Sequence, residues 1–369
     1  MRPIYQQDSH TLQALPPSGH AGLWFERFFD RFDSNWDIQA SSKKAWIDTV
    51  KDLHGDGTRL TQHAERLQQL ARTVHGEYRE FKTTSAFVTG MGLSHPVENG
   101  MSWHRTLGLP YLAGSGVKGL LRAWVDKWME CNEEERQRIL TCWFGQAKNS
   151  NASKKPESQE AEKSDPCAGE LVFFDLLPVA PLSLGCEIMT PHMGDWYEQG
   201  ASIESAADYA AKAPADWHSP VPVPFLVVRP GARFATLIGA RTTAAQPEVE
   251  RALNALAEAL EWLGAGAKTA TGYGRMQDEK TEMRHKQEAI QRQQAACAEE
   301  WQGVRIKYNR NSGALSIEKS GKTASATRER SAALLQSFPA DMRKKIEQNQ
   351  CFAKANARVA EHDLLDVWL

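Results

Sequence analysis

Residues 264–275 read GAGAKTATGYGR. Four glycines (Gly264, Gly266, Gly272 and Gly274) are interleaved with the cations Lys268 and Arg275, the hydroxyls of Thr269 and Thr271, and the phenol of Tyr273. A stretch poor in Cβ atoms lets backbone N–H groups come close to a ligand, and consecutive N–H groups form a concavity for anions. The cations add charge, and a tyrosine ring offers a face on which a base can stack. A second stretch, GSGVKG at 114–119, opens a helical pattern. It carries the hydroxyl of Ser115, and Lys118 and Arg122 lie four residues apart on one helix face. A helix N-terminus itself favours anions through its free N–H groups. Both stretches therefore suit phosphates, whether on a dinucleotide, a nucleoside triphosphate or a nucleic-acid strand. Each also has a plainer reading as a turn at a helix end, with Lys118 and Arg122 as solvated charges and Tyr273 as a strand residue.

The first two phosphate ligands fit poorly. GSGVKG satisfies G-x-G-x-x-G, but the helix it opens runs into NEEERQRIL, a further helical stretch, where a dinucleotide fold needs a strand ending in an acid. GAGAKT has Ala267 where a P-loop has the glycine before its lysine, and it follows a helix where a P-loop precedes one. Catalytic groups are equally sparse. The histidines His95, His104, His192 and His218 are dispersed, and none lies in a glycine loop. His192, in TPHMGDW beside Asp195, is the best candidate for a general base. The six cysteines include no C-x-x-C pair, which argues against a zinc site or a disulfide framework. We expect no metal, no cofactor and no catalytic residue.

The elements that must hold these loops follow from pattern. With a net charge of −2, nucleic-acid binding has to be local rather than a property of the whole surface. No run of 18 apolar residues is present, so a soluble cytoplasmic protein is expected. Residues 1–82 read as a helical N-terminal region. Residues 83–278 read as the central domain, with strands at 83–92, 170–179, 224–228 and 233–241, helices after residue 113 and over 247–264, and a short strand from Tyr273. Within it, 147–168 has disordered composition. A Pro-, Gly- and aromatic-rich excursion occupies 180–225 and holds His192, Met193, Trp196 and Tyr197. Stripped of insertions, the order β-α-β-β-α-β predicts an α+β, ferredoxin-like (RRM-like) fold with the glycine-rich loop before the last strand. Residues 279–369 read as a small α+β extension: a polar helix, a hairpin around Asn311–Gly313 and two short helices around Pro339. Over 301–369, twelve Lys/Arg face seven Asp/Glu.

PYLAGSGVKGLLRAW resembles the P-x-x-x-G-S-x-x-K-G-x-x-R segment of the RAMP superfamily, the RNA-binding proteins of CRISPR systems, and GAGAKTATGYGR resembles its C-terminal glycine-rich loop. FVTGMGLSHPVENGMSWHRTLGLPYLAGSGVKG, and IMTPHMGDWY followed by PVPVPFLVV, resemble the sixth subunit of type III-B (Cmr) effector complexes. The likeness spans about residues 83–276. It implies a non-catalytic subunit that holds the 3′ part of a crRNA and caps the backbone filament in antiviral defence. The implied partners are crRNA, target RNA and other Cmr subunits: the backbone RAMP subunit, a second 3′-end RAMP subunit and the small helical subunit. The implied RNA contacts are Ser115, Lys118, Arg122, Gly264, Gly266, Lys268, Thr269, Thr271, Gly272, Tyr273, Gly274 and Arg275. His192, Met193, Trp196 and Tyr197 would form a thumb against the guide–target duplex, or pack on protein. The alternative reading is a crRNA-processing, metal-independent endoribonuclease of the same superfamily, with His192 or His104 as its base.

Overall fold

The computed structural model describes residues 14–16, 19–146, 167–215, 218–296, 298–348, 353–360 and 362–368. Most of the segment expected to be disordered, 147–166, lies outside this set. At its far edge Cys167 and Ala168 pair as a strand with Gln146 and Gly145, so the expected loop closes before residue 167.

The chain is α+β and divides into two compact units, residues up to 279 and residues from 280. In the first unit, helices α1 (Ala21–Arg27) and α2 (Ala40–Ile47) precede strand β1 (Asp52–His54), helix α3 (Gly57–Thr73) and strand β2 (Glu77–Thr83). Helix α4 (Gly114–Lys127) and α5 (Glu133–Ile139) lead to the short pair β3 (Gly145–Gln146) and β4 (Cys167–Ala168). Strands β5 (Leu171–Phe173), β6 (Leu177–Pro178) and β7 (Leu182–Met189) follow. The excursion holds α6 (Gly194–Gln199) and α7 (Ala206–Lys212), and β8 (Val223–Val228) returns from it. Strand β9 (Arg233–Ala240), helix α8 (Pro247–Trp262) and strand β10 (Met276–Gln277) complete the unit.

The central sheet runs β10-β2-β9-β5, with β6 also on β9, and every pair is antiparallel. A second sheet, β1-β7-β8, carries the excursion between its two longer strands. Helix α8 begins with Pro247, whose missing N–H is harmless at that position, and buries Val249, Leu253, Leu256 and Leu260 together with four alanines. The alanines Ala252, Ala255, Ala257 and Ala259 leave room for close packing. Trp24, Phe25, Phe29 and Trp46 of the N-terminal region share one core with Phe81, Phe234 and Leu253. The N-terminal region is therefore integral to this unit.

Three expectations need correcting. Residues 1–82 are not purely helical, because β2 occupies Glu77–Thr83 and an expected boundary at 82/83 cuts that strand. The strand expected over 83–92 starts six residues earlier and ends at Thr83, leaving only a Phe87–Val228 bridge. The physical reason is competition: the carbonyls of Ala86 and Val88 and the N–H of Thr84 are bonded to the glycine loop. Finally, Ala353–Ala360 and Asp363–Trp368 are strands, where the stretch 328–365 reads in sequence as two short helices around Pro339.

The second unit opens with helix α9 (Glu279–Ala296), whose first residue is the last of the first unit. Its strands are β11 (Glu299–Asn309), β12 (Ala314–Lys319) and β13 (Lys322–Ser325). Helices α10 (Arg328–Gln336) and α11 (Ala340–Glu347) precede β14 (Ala353–Ala360) and β15 (Asp363–Trp368). The five strands close into a barrel in the order β11-β12-β13-β15-β14 around Val304, Leu315, Ile317, Val359 and Leu364.

Candidate nucleic-acid interface

All four glycines of the loop have left-handed backbone: φ is +78° at Gly264, +83° at Gly266, +92° at Gly272 and +75° at Gly274. Their surroundings differ. A Cβ at Gly264 would meet the Tyr273 carbonyl oxygen at 2.6 Å, one at Gly266 the Val88 oxygen at 2.0 Å, and one at Gly274 the Ala265 oxygen at 1.9 Å. These three are glycines because the loop folds onto itself and onto residues 86–88. A Cβ at Gly272 would meet nothing within 4 Å. Gly272 is the loop glycine with an open approach.

The loop's hydrogen bonds sort its N–H groups in the same way. Ala265 donates to Gly274 (2.9 Å), Ala267 to Val88 (2.8 Å), and Gly274 to Ala86 (2.8 Å). Thr271 and Tyr273 donate to the Lys268 carbonyl, and Arg275 donates from its N–H to Ser85 Oγ (2.9 Å). Among the described residues, the N–H groups of Lys268, Thr269 and Ala270 have no hydrogen-bond partner. Lys268 is itself left-handed at φ +58°, and a 3₁₀ turn follows over Thr269–Thr271. A left-handed residue leading into helical turn geometry sets successive N–H groups on one side, which is an anion-binding nest.

The nest borders a groove of about 550 Å³ between α4 and the loop, lined by Gly116, Gly119, Leu120, Trp262, Thr269 and Arg275 among others. The two glycine stretches, far apart in sequence, thus share one groove. Trp262 is exposed beside it. Arg275 donates from Nη1 to the Glu261 carbonyl (2.8 Å), which fixes its guanidinium at the rim. Ser115 and Arg122 are exposed on α4.

Other expected contacts are engaged elsewhere. Lys118 Nζ donates to the Phe144 carbonyl at 3.3 Å and does not line the groove. Tyr273 donates its hydroxyl to Glu187 Oε2 of β7, and its ring lies 6.0 Å from that of Phe225 on β8. Burial first, and then the Glu187 carboxylate, push the Tyr273 phenol up to about 12. The Lys268 ammonium lies 5.5 Å from the Phe225 ring centroid, a cation–π distance. The side chains of Lys268 and Tyr273 therefore clamp the loop to the β7–β8 hairpin.

Two carboxylates were missed in the sequence. Asp175, between β5 and β6, accepts from the Gly114 N–H at 2.6 Å and so occupies the N-terminus of α4. An acid between two strands, with a helix start nearby in space, leaves no sequence signal. Glu187 is the other; its position on the inner end of the hairpin becomes visible only once the strands are paired.

On the excursion, His192, Trp196 and Tyr197 are exposed, Tyr197 to 81 %, and Met193 is half-buried. The other candidate histidines, His95, His104 and His218, make contacts within the protein. His95 stacks on Phe25 at 4.2 Å and contacts its carbonyl. His218 contacts the Ala213 carbonyl at 2.8 Å. His63 and His104 lie 6.1 Å apart, and burial chiefly lowers the pKa of both. Among the described residues, no cluster of three or more His, Cys, Asp or Glu could hold a metal ion, and no helix is long and apolar enough to cross a membrane.

Comparison with known proteins places this groove in a family. The family model of the RAMP superfamily matches residues 80–277, which include both glycine stretches, both walls of the groove and the excursion. The "CRISPR system Cmr subunit Cmr6" of Pyrococcus furiosus is 30% identical over 247 residues, 56% of this chain and 69% of the relative. A chain of the "Type III-B Cmr-beta bound to cognate target RNA" is 19% identical, with a TM-score of 0.44, over 64% of this chain and 71% of that one. The crystal structure of Cmr6 from Pyrococcus furiosus is 29% identical, with a TM-score of 0.31, over 55% of this chain and 97% of that one. On the extent of the family match and the Cmr6 similarity, this chain belongs to the RAMP superfamily.

Proposed function

We propose that this protein is a non-catalytic RNA-binding subunit of a type III-B CRISPR effector complex, holding the 3′ part of a crRNA and capping the backbone filament. The observation that carries the reading is the groove between α4 and the glycine loop, lined by Thr269 and Ala270 with their unpartnered N–H groups, on a loop that also has an open approach at Gly272. These groups recognise phosphate and carry no sequence information, as a guide of any sequence requires. Arg122, Arg275 and Ser115 extend the track, and Trp262 offers a stacking face at its edge.

The sheet order β10-β2-β9-β5, with α4 and α8 as its crossover helices, supports a ferredoxin-like reading of the central region. The exposed His192, Trp196 and Tyr197 support a thumb role for the excursion. A non-catalytic role is supported by the structural use of His95 and His218, and by a second unit that is a barrel rather than a second sheet of the same order.

The test is co-expression with the genomic neighbours, followed by sequencing of copurifying RNA. Short RNAs with a constant 5′ repeat tag in a stoichiometric particle are expected. Recovery of the chain alone, free of RNA, would overturn the reading. In binding assays, Lys118→Ala and Lys268→Ala should weaken all guides alike, and a change in sequence preference would refute the backbone cradle. Lys118 should have the smaller effect, because its ammonium is held by the Phe144 carbonyl.

A further inference from the structure

We propose that the C-terminal unit carries a second nucleic-acid site: an oligonucleotide-binding barrel whose mouth, between the β11–β12 turn and helices α10 and α11, holds a single strand. The topology comes first. Five strands close in the order first-second-third-fifth-fourth, and the helices are inserted between the third and fourth. Neighbouring strands are antiparallel except at the closing contact, Ser325 with Asp363, which is parallel. This is the Greek-key barrel used to bind oligonucleotides and oligosaccharides. A fold by itself assigns no function, so the side chains have to choose between them.

They choose a polyanion. A cavity of about 320 Å³ at the mouth is lined by Tyr308, Arg310, Asn311, Arg328, Arg343 and Glu347, among others. Three guanidinium groups thus surround one hollow that holds a single carboxylate. Among the described residues, none of the three arginines forms an ion pair. Arg310 donates from Nε to the Glu347 carbonyl (2.8 Å), and Arg343 from Nε to the Phe338 carbonyl (3.1 Å). Neutral acceptors therefore fix the direction of these two charges without cancelling them. On the barrel wall two cations are neutralised: Lys307 pairs with Glu318 at 2.6 Å and Arg358 with Glu300 at 3.2 Å.

Guanidinium forks match phosphate geometry, and Tyr308 is half-buried at the same rim. The turn is rigid as well. Asn309 Oδ1 accepts from the N–H groups of Asn311 (3.0 Å) and Ser312 (3.2 Å), so the mouth is shaped before a ligand arrives. The family match ends at residue 277. This site lies beyond it and is independent of the glycine-loop groove.

The experiment uses the full chain with a 15-nucleotide uridine RNA carrying 4-thiouridine. After ultraviolet cross-linking, peptides are mapped by mass spectrometry, and fluorescence anisotropy gives affinity. Cross-links are expected in the peptide containing Tyr308 and Arg310. Each phosphate contact to a single strand contributes about 0.7 to the salt slope, or about fivefold in affinity at 0.1 M salt. Arg328→Ala should lose about that factor, and Arg328→Glu more. Cross-links within 83–277 should persist in both variants, which separates failure of this proposal from failure of the glycine-loop reading. Preference for uridine RNA over a thymidine 15-mer would show that the 2′-OH is read, and equal binding would show that phosphate and base faces suffice; both support the site. Cross-links confined to 83–277, unchanged affinity in Arg328→Glu, or equal binding of a 15-bp duplex would overturn it.

Discussion

Placing a methyl group at each of two loop glycines separates packing from ligand approach. In Gly266→Ala the new Cβ would lie 2.0 Å from the Val88 oxygen, so that carbonyl must retreat by more than an ångström. The retreat breaks its 2.8 Å bond from Ala267 N–H, and orphaning such groups costs about 1–3 kcal/mol. Left-handed backbone adds about 1 kcal/mol for any residue with a Cβ. The sum is about 3 kcal/mol. Gly272→Ala carries only the backbone component, about 1 kcal/mol, because its Cβ would meet nothing within 4 Å. At roughly 2–4 °C per kcal/mol for a unit of this size, Gly266→Ala should lower Tm by about 6–12 °C and Gly272→Ala by about 2–4 °C. Thermal unfolding by circular dichroism, alongside RNA binding by anisotropy, measures both effects. Gly272→Ala should lose RNA affinity while keeping most of its thermal stability. Equal Tm losses in the two variants would refute the division of the loop into packed and open glycines. Unchanged RNA binding in Gly272→Ala would remove the open approach as a ligand contact.

Further predictions follow from neighbouring groups. Asp175→Asn keeps an acceptor for the Gly114 N–H but removes a negative charge near the groove, so stability should change little and RNA affinity should rise; a fall in affinity would refute this. Glu187→Gln should bring the Tyr273 phenol down from about 12 towards the usual tyrosine value, read by ultraviolet titration against Tyr273→Phe. His63, His95 and His104 all have pKa values lowered below the ordinary 6.5, chiefly by burial. The unfolded chain therefore binds more protons below pH 6.5, and the stability these groups contribute is present above 6.5 and lost as pH falls through their folded values. Tm should drop on acidification from pH 7 to 5, with a shallower slope in His95→Gln, and a Tm that is flat across this window would contradict the assignment.

Elements with a strong period were legible in the sequence. The apolar face of α8 and the strands at 223–228 and 233–240 follow directly from it. Strand β2 was hidden because EYREFKT is dominated by charge, and only Phe81 and Thr83 are buried. The last strands were hidden by alanine. In AKANARVA the buried positions Ala355, Ala357 and Val359 alternate as a strand requires, but alanine's high helix propensity masks the period. The site was legible in residue type and not in role. Spacing marked the glycines, but it could not show that three of them meet protein backbone, nor that Tyr273 is held by Glu187, which lies 86 residues away in sequence. Such roles arise from tertiary pairings that a local pattern does not encode.

The register joining β10 to β2 pairs Met276 with Thr83. The central sheet therefore cannot be completed until nearly all of the first unit has left the ribosome. Closing a loop of that length costs about 5 kcal/mol in chain entropy before any contact in the last strand repays it. Two residues of β10 contribute few hydrogen bonds, so most of the return comes from Met276, fully buried, and from the glycine-loop contacts to residues 84–88. The loop is thus also the latch of the folding reaction. During synthesis the edge of β2 is left bare until residue 277 arrives, and the nascent chain is most exposed to misassociation in that interval. The barrel strands emerge after this, and even their widest pairing, Glu299 with Val359, spans a much shorter stretch of chain than Thr83 with Met276.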